Sequence, residues 1–147
     1  MDDSIATVEG EIAMLLRLAA RPSRPSHELH GTLDRSAYLV LRLLDVEQHA
    51  HINAIADRLR LDASTVTRQV IAMESAGYVT RRSDPDDGRT IVVEPTASGL
   101  EALAETRAAR ATVYARVLGD WDPEDRQQLS TLLTRLNAAL DENARRP

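Results

Sequence analysis

Apolar residues recur at helical spacing along the first third of the chain. The segment from Ile5 to Ala19 carries an apolar stripe, and Pro22 and Pro25 follow it. This pattern predicts an amphipathic helix that ends before a proline-containing loop. Asp34 is placed to cap a second helix, whose apolar positions include Tyr38, Leu41 and Leu44.

Two further amphipathic helices are predicted near the C-terminus. Thr96 is a capping residue at the start of a long apolar stripe that ends near Gly119. Asp122 and Pro123 then predict a last helix, because aspartate is a favoured cap and proline is favoured at the first helical position. The apolar stripe of that helix consists of Leu129, Leu132, Leu133, Leu136 and Leu140.

Two short helices in tandem are predicted in the middle of the chain. Ile55 to Leu61 carries a short apolar stripe, and Asp62 follows where a helix cap is expected. A second helix then begins at Ala63, with an inner apolar face at Val66, Val70 and Met73. This spacing leaves polar side chains on or near the outer face, namely Ser64, Thr65, Thr67, Arg68 and Gln69.

A β-hairpin is predicted directly after the second of these helices. Gly77 can take the left-handed conformation that ends a helix, and Tyr78 to Arg82 is rich in β-forming residues. Asp84 to Gly88 has turn composition, in which Gly88 can take a positive φ, and Arg89 to Glu94 is the return strand. The predicted fold class is therefore mainly α with a small β-hairpin wing, a winged helix-turn-helix with a helical dimerisation region.

These motifs resemble the winged helix-turn-helix of the MarR (multiple antibiotic resistance regulator) family. The similarity rests on Ser64-Thr-Val-Thr-Arg68, Gly77-Tyr-Val, Asp84-x-x-Asp87-x-Arg89 and Thr96-x-x-Gly99. The resemblance implies a single domain over residues 1–147, with N-terminal helices at 4–46, a DNA-reading lobe at 47–95 and C-terminal dimerisation helices at 96–144. It also implies a homodimeric, ligand-responsive repressor of transcription. Its two recognition helices would bind a pseudo-palindromic operator in double-stranded DNA about one turn apart.

The outer face of the second short helix is the predicted base-reading surface. Arg68 can bind guanine through two hydrogen bonds, Gln69 can bind adenine, and the hydroxyls of Ser64, Thr65 and Thr67 can bind phosphates. A solvated helix face is the alternative, and Ser64 and Thr65 also suit a capping role. The hairpin that follows directly favours the DNA-binding interpretation.

Arg89 lies just past the predicted turn, where the tip of a wing can enter the minor groove. Asp87 is close enough in sequence to orient it through an ion pair. An exposed ion pair of little energetic value is the alternative, and the match to the family motif favours the DNA contact. The chain departs from the family pattern at Arg60, where glycine is common, and at Pro95, where an aliphatic residue is usual.

The charge of the chain opposes DNA binding. The formal net charge is −5, from 18 basic and 23 acidic residues. Phosphate neutralisation by basic side chains supplies most non-specific affinity, so the local placement of arginine must supply it here. The alternative function is a protein-interaction module whose winged helix has lost DNA affinity.

A small-molecule site is predicted beside the second helix. Tyr38 and Arg42, with His30 from the preceding loop, offer an aromatic ring, a guanidinium and an imidazole, which together suit a small anionic aromatic effector. Zinc also accepts imidazole and carboxylate ligands. We nevertheless predict no metal site, because the histidines lie in a proline-rich loop and a short connection: His27, His30, His49 and His51.

Other classes of protein find no support in the sequence. It contains no nucleophile elbow, phosphate-binding loop, dinucleotide fingerprint or HExxH motif, so we predict no enzymatic activity and no cofactor. Cysteine is absent, which excludes sensing through a thiol. No apolar run approaches the about 18 residues of a membrane span, and Asp2 and Asp3 stand where a signal peptide is positively charged. The expected location is cytoplasmic.

Overall fold

The computed structural model describes residues 2–20 and 31–146 of the chain. It divides into two units, Met1–Gly31 and Thr32–Pro147. The prolines of the predicted loop and two of the four histidines lie outside the described residues: Pro22, Pro25, His27 and His30.

Helix α1 (Asp3–Ala19) is the described part of the first unit, and it confirms the predicted N-terminal helix. Asp2 caps it by accepting hydrogen bonds from the hydroxyl of Ser4 at 2.7 Å and from its backbone amide at 3.0 Å. These bonds hold the pKa of Asp2 below its usual value. None of the side chains of α1 is buried.

The second unit has the element order of a winged helix-turn-helix with additional helices. In chain order the elements are α2 (Arg35–Glu47), β1 (Ala50–His51), α3 (Ile52–Leu59), α4 (Ala63–Ser75), β2 (Val79–Ser83), β3 (Ile91–Pro95), α5 (Ala97–Val117) and α6 (Pro123–Arg145). The predicted fold class, mainly α with a small β wing, is confirmed.

The predicted helix caps differ in how they are made. The Asp34 carboxylate accepts a hydrogen bond from the Ala37 amide at 2.8 Å, so it caps α2 as predicted. Asp62 and Asp122 occupy the cap positions of α4 and α6, but neither side chain accepts a capping hydrogen bond. These two residues therefore mark the helix starts without stabilising them in the predicted way.

The hairpin belongs to a three-stranded antiparallel sheet with the order β1-β3-β2. β2 pairs with β3 along its whole length, and β1 places Ala50 opposite Val93 and His51 opposite Val92. The sequence predicts only a connection at Ala50 and His51, because a two-residue strand is too short to show an alternating pattern.

The turn of the hairpin is longer than predicted. β3 begins after Arg89, which therefore lies in the turn rather than in the return strand. Gly88 does not take the positive φ that the sequence allows. The turn closes instead through the Asp84 amide, which donates to the Thr90 carbonyl oxygen at 2.9 Å, and the Thr90 amide, which donates to the Asp87 carbonyl oxygen at 3.0 Å.

The hydrophobic core of the second unit draws on the reading lobe, α2 and α5. Val66, Val70 and Met73 form the buried inner face of α4, as predicted. Leu61 is 40% exposed, because the chain leaves the helix at Arg60 and the apolar stripe of α3 ends there. Other fully buried apolar side chains are Val40, Leu41, Leu44, Ile55, Val79, Val93 and Leu103.

The junction between the hairpin and α5 explains the Thr96-x-x-Gly99 motif. The Thr96 hydroxyl oxygen accepts a hydrogen bond from the Gly99 amide at 3.0 Å, and the same hydroxyl donates to the Gly77 carbonyl oxygen at 2.6 Å. A Cβ atom at position 99 would overlap the carbonyl oxygen of Tyr78. Glycine is therefore required at position 99 by close packing, while Gly77, at a φ of 81°, ends α4 in the predicted left-handed conformation.

Helix α6 has no buried side chain. Exposed apolar residues follow from the end of α5 into α6, at relative exposures from 39% to 65%: Tyr114, Val117, Trp121, Leu132, Leu133 and Leu140. The helix is joined to the reading lobe by Arg60, whose Nε and Nη2 donate to Asp141 Oδ1 at 2.9 and 2.8 Å. Arg60 stands in the left-handed conformation at a φ of 54°, the conformation that favours glycine at this turn.

Candidate nucleic-acid interface

Helix α4 presents the predicted recognition residues on and beside its exposed face. Ser64 and Arg68 are exposed, and Thr65 and Thr67 are half-buried. Arg68 Nη2 donates to Thr65 Oγ1 at 3.4 Å, and the Thr67 hydroxyl donates to the Ala63 carbonyl oxygen at 2.8 Å. A guanidinium has five N–H donors, so Arg68 keeps most of its hydrogen-bonding capacity for a ligand.

Gln69 lies at the edge of this surface. Its Oε1 atom is buried and has no hydrogen-bond partner among the described residues. The side chain lines a cleft of about 360 Å³ together with Asp34, Arg68 and Tyr78. A two-bond contact with adenine uses both the amide nitrogen and this buried oxygen, so the role of Gln69 in base reading stays a prediction.

The tip of the wing exposes Arg89. Asp87 Oδ1 accepts a hydrogen bond from the backbone amide of Arg89 at 3.1 Å, and the Thr90 hydroxyl donates to the Asp87 carbonyl oxygen at 2.9 Å. The predicted ion pair between Asp87 and the Arg89 guanidinium is wrong, because the carboxylate is used to shape the turn. Asp87 therefore positions the backbone that carries Arg89 and leaves the guanidinium free of this carboxylate.

The six arginines of the reading lobe separate into two groups. Four form ion pairs: Arg58 with Glu47, Arg60 with Asp141 at 2.8 Å, Arg81 with Glu74 at 3.1 Å, and Arg82 with Glu94 at 2.8 Å. Arg68 and Arg89 form no ion pair with any residue in the described ranges. The two arginines predicted from sequence to contact DNA are thus the two whose positive charge is not balanced locally.

His51 is a candidate residue that the sequence reasoning missed. Its Nε2–H donates to Asp84 Oδ2 at 2.6 Å, which joins β1 to the base of the wing. This bond holds the pKa of Asp84 below its usual value, with a smaller effect from the hydrogen bond that Asp84 accepts from the Asp86 amide. The pattern of two histidines around Ala50 gives no sign of this contact, because Asp84 is distant in sequence.

Tyr38 lies beneath two guanidinium groups. The Arg110 guanidinium carbon is 4.4 Å from the centre of the Tyr38 ring, and that of Arg42 is 5.8 Å from it. Neither arginine forms an ion pair with a residue that the structure describes. The neighbouring Arg107 is paired with Asp45 at 2.9 Å, which raises the pKa of Arg107. Two of the three predicted effector residues thus lie together, and Arg110, on α5, joins them.

Residues 2–20 and 31–146 are the part of the chain that the structure describes. Within those ranges no three histidine, aspartate or glutamate side chains lie close enough together to bind a metal ion. None of the helices in the same ranges is both long and apolar enough to cross a membrane.

Comparison with known sequences and structures extends the resemblance beyond the motifs. The model of the MarR family matches residues 33–91. An uncharacterised HTH-type transcriptional regulator of Bacillus subtilis, YxaD, is 33% identical over 135 residues, which cover 92% of this chain and 94% of that protein.

Solved structures share the fold. A MarR family protein from Bacillus stearothermophilus superposes with a TM-score of 0.73 at 22% identity, over 95% of this chain and 98% of the other. The PcaV transcriptional regulator from Streptomyces coelicolor, crystallised with its natural ligand, gives a TM-score of 0.72 at 23% identity, over 95% and 97% of the two chains.

Proposed function

The chain belongs to the MarR family of winged helix-turn-helix transcription regulators, and we propose that it is a homodimeric repressor that a ligand releases from DNA. Each copy inserts α4 into a major groove and places the tip of its wing in the adjacent minor groove. Two-fold symmetry then matches a pseudo-palindromic operator whose half-sites lie about one turn apart. Because the protein acts on DNA, we also propose a cytoplasmic location.

The unpaired state of Arg68 and Arg89 is the observation that carries this proposal. An acidic chain repels DNA as a whole, so binding depends on positive charge that is not already balanced. The carboxylates of the lobe balance the arginines around these two residues and leave the recognition helix and the wing tip uncovered. A protein-interaction module that had lost DNA affinity would have no need for this arrangement.

The exposed apolar residues of α6 support a homodimer. Leu132 and Leu140 are 55% and 56% exposed, and α1 likewise exposes an apolar series: Ile5, Val8, Leu15, Leu16 and Leu18. Exposed apolar residues in series along a helix are typical of a protein–protein interface. A second copy of the chain supplies a matching surface and sets the distance between the two recognition helices.

DNA binding is tested by replacing the unpaired arginines. We expect Arg68→Ala to weaken operator binding by about 1–3 kcal/mol and to relax the base preference at one position of each half-site. Arg89→Ala is expected to weaken binding with a smaller effect on base preference, because the minor groove carries less sequence information. The measurement is fluorescence anisotropy with a duplex selected by the protein from a randomised pool.

Arg82→Ala is the matched control for these two variants. Arg82 is also an exposed arginine of the wing, but Glu94 balances its charge, so its loss is expected to change the affinity little. The proposal is contradicted if the wild-type protein selects no duplex, or if all three variants bind the duplex as tightly as the wild type. In either case the winged helix does not read DNA through these arginines, and the protein-interaction function is favoured.

The cluster around Tyr38 supports release by a small anionic aromatic ligand. The ring offers a stacking surface, and the guanidinium groups of Arg42 and Arg110 are without a carboxylate partner in the described residues. The PcaV regulator, which shares the fold, was crystallised with its natural ligand. A ligand bound between α2 and α5 releases DNA if it binds more tightly when the two recognition helices have the wrong spacing.

Calorimetric titration with simple phenolic acids tests this site. We expect the phenolic acid to bind the free protein more tightly than the DNA complex. Because the coupling is reciprocal, this difference in binding free energy equals the loss of DNA affinity that the ligand causes, typically about 1–3 kcal/mol. Arg110→Ala is expected to weaken ligand binding without changing DNA affinity in the absence of ligand. Equal binding to free and DNA-bound protein would show that the compound is not an effector.

A further inference from the structure

The turn between α3 and α4 holds an arginine in a backbone conformation that is unfavourable for it. Arg60 has a φ of 54° and a ψ of 47°, the left-handed region, in which the Cβ atom of an L-amino acid lies too close to the following carbonyl oxygen. Glycine has no Cβ atom and takes this conformation without that cost. An arginine at this turn therefore lowers the stability of the reading lobe unless its side chain makes compensating contacts, and its shortest contacts are made outside the lobe.

The Arg60 guanidinium binds a carboxylate of helix α6. Its Nε and Nη2 atoms donate to Asp141 Oδ1 at 2.9 and 2.8 Å, and its Nη1 atom lies 3.4 Å from Asp57 Oδ1 within the lobe. The other oxygen of Asp141, Oδ2, accepts a hydrogen bond from Arg145 Nε at 3.2 Å, one helical turn further along α6. Both oxygens of the carboxylate are thus held. Because two donors of one planar guanidinium converge on Oδ1, the contact restrains a direction as well as a distance.

This contact joins two parts of the chain that have separate tasks in the proposed function. Arg60 lies three residues before Ala63, the first residue of the recognition helix α4. Asp141 lies on α6, which has no buried side chain and which the proposed function assigns to the homodimer. A movement of the start of α4 relative to α6 therefore has to bend or break the contact between Arg60 and Asp141.

The geometry of DNA makes such a movement matter. In a two-fold dimer, both copies of α4 have to meet their half-sites at one separation and one rotation about the duplex axis. One added base pair moves a half-site by about 3.4 Å and turns it by roughly 35°. A lobe that is held in one direction relative to the dimer helix accepts one spacing, whereas a lobe that can turn accepts several.

We propose that Arg60 is a positioning residue for operator spacing: by binding Asp141 it fixes the start of α4 relative to α6. The inference rests on the proposed function and adds the residues that determine which half-site spacing the dimer accepts. Glycine at position 60 would relieve the backbone but would leave the turn without this link to α6. The arginine lowers the stability of the turn and supplies the restraint.

The strength of this contact is sufficient for such a role. The side chains of Arg60 and Asp141 are 30% and 43% exposed, and an ion pair at this exposure contributes little to the free energy of unfolding. The proposed dimer contains the contact twice, however, and effects at two distant sites add in free energy. A preference of about threefold in each lobe therefore becomes a preference of about tenfold in the dimer.

The experiment measures the affinity of the full-length protein for its selected duplex and for duplexes whose spacer is one base pair longer or shorter. We expect the wild type to bind the altered duplexes about thirtyfold more weakly, on the scale of one or two lost base contacts. Arg60→Ala and Asp141→Ala are each expected to reduce this spacing penalty by about threefold to tenfold. Arg60→Gly is expected to reduce the penalty as Arg60→Ala does and to unfold at a higher temperature than Arg60→Ala, because glycine relieves the backbone.

Binding to a single half-site separates positioning from direct contact with DNA. A duplex with one half-site engages one lobe, so a residue that only positions the lobes does not change this affinity, and we expect the three variants to bind it as the wild type does. Arg58→Ala is the matched control, since Arg58 is an exposed arginine of α3 whose carboxylate partner is Glu47 at the end of α2. It is expected to keep the wild-type spacing penalty.

Sedimentation and thermal unfolding show whether each variant is a folded dimer. Folded, dimeric Arg60→Ala and Asp141→Ala variants that keep the wild-type spacing penalty overturn this inference, as does a wild-type dimer that binds all the spacings equally well. A loss of half-site affinity in Arg60→Ala alone also overturns it, because Arg60 would then contact DNA. These results leave DNA binding itself standing, whereas a wild-type protein that is monomeric or selects no duplex would refute the proposed function.

Discussion

The reading lobe and helix α6 belong to one chain but are stabilised in different ways. In the lobe, Val66, Val70 and Val93 have no solvent exposure, whereas α6 has no buried side chain. Burial of apolar area at roughly 25 cal/mol/Å² is the main favourable term in folding, and an isolated amphipathic helix is marginal in water. The lobe is therefore held by a core that it shares with α2 and α5, while α6 needs contacts that the described part of one chain does not supply.

This difference separates the two tasks that the proposed function requires. A lobe whose core is completed by α2 and α5 of the same chain holds α4 and the wing together, whether or not a partner is present. In the proposed dimer, the distance between the two lobes depends on a helix that is stabilised by the second copy. Under the proposed function, each half-site is recognised by one chain, and regulation acts through the assembly of two.

The largest expected effect comes from the core of the second unit. Leu44 on α2 is fully buried, so Leu44→Ala is expected to lower the free energy of unfolding by about 2–5 kcal/mol at any protein concentration. Leu132 on α6 is 55% exposed, and Leu132→Ala is expected to raise the dissociation constant of the dimer while leaving the dilute monomer nearly unchanged. Urea denaturation at several protein concentrations measures both. If both variants lose the same free energy of unfolding at every protein concentration, the lobe and α6 are not stabilised in different ways.

The junction between the hairpin and α5 is expected to give the next largest effect. Gly99→Ala places a Cβ atom against the carbonyl oxygen of Tyr78 and is expected to cost about 1–3 kcal/mol of stability through the backbone shift that follows. Gly10 in α1 has open space around it, so Gly10→Ala is the control and is expected to be neutral or stabilising by up to about 1 kcal/mol. Thermal unfolding compares the two. A Gly99→Ala variant as stable as the wild type would show that the junction tolerates a shift.

The smallest expected effect concerns the ion pair that joins α6 to the lobe. The hydrogen bond from Arg60 holds the pKa of Asp141 below its usual value. The stabilisation is therefore present above the ordinary aspartate pKa of about 3.9 and is lost as the pH falls through the lower value of the folded protein. We expect Asp141→Asn to be slightly less stable than the wild type at neutral pH and equally stable in strong acid.

Glu142→Gln is the control for this comparison, because among the described residues Glu142 pairs with the exposed Arg146, which directly follows α6, and not with the lobe. Unfolding curves at neutral and acidic pH, each at low and high salt, measure the difference between the variants. If the Asp141→Asn variant is still less stable than the wild type by the same amount in acid, the carboxylate stabilises the protein by some route other than this ion pair.

The parts of the fold that sequence predicted are those with a repeating pattern or a specific backbone requirement. The inner face of α4 follows from helical periodicity alone, and Gly77 and Thr96 mark the ends of helices through their own chemistry. The strand at Ala50 and His51 was missed because pairing with β3, and not a local preference, makes it a strand.

The candidate DNA-binding site likewise has a part that local sequence patterns predict and a part that depends on tertiary contacts. Arg68 and Arg89 were identified from their positions on a helix face and beside a turn. The pairing of the other arginines depends on tertiary contacts, such as the one between Arg60 and Asp141, which are 81 residues apart. The contact of His51 could not be predicted for the same reason, since its partner Asp84 is 33 residues away. Local patterns predict which face a residue occupies, and only the folded chain determines which charges remain free.

The balanced arginines also affect how quickly the protein finds its operator. Attraction to random DNA grows with the number of phosphates that a protein neutralises, and in a genome random sites outnumber the operator by about a million or more. Because four of its six arginines are paired to carboxylates, we expect each lobe to bind random DNA weakly and to leave it soon. The same carboxylates that make the chain acidic thus shorten the time spent on the wrong sequence, and occupancy of the operator depends on the few contacts that read it.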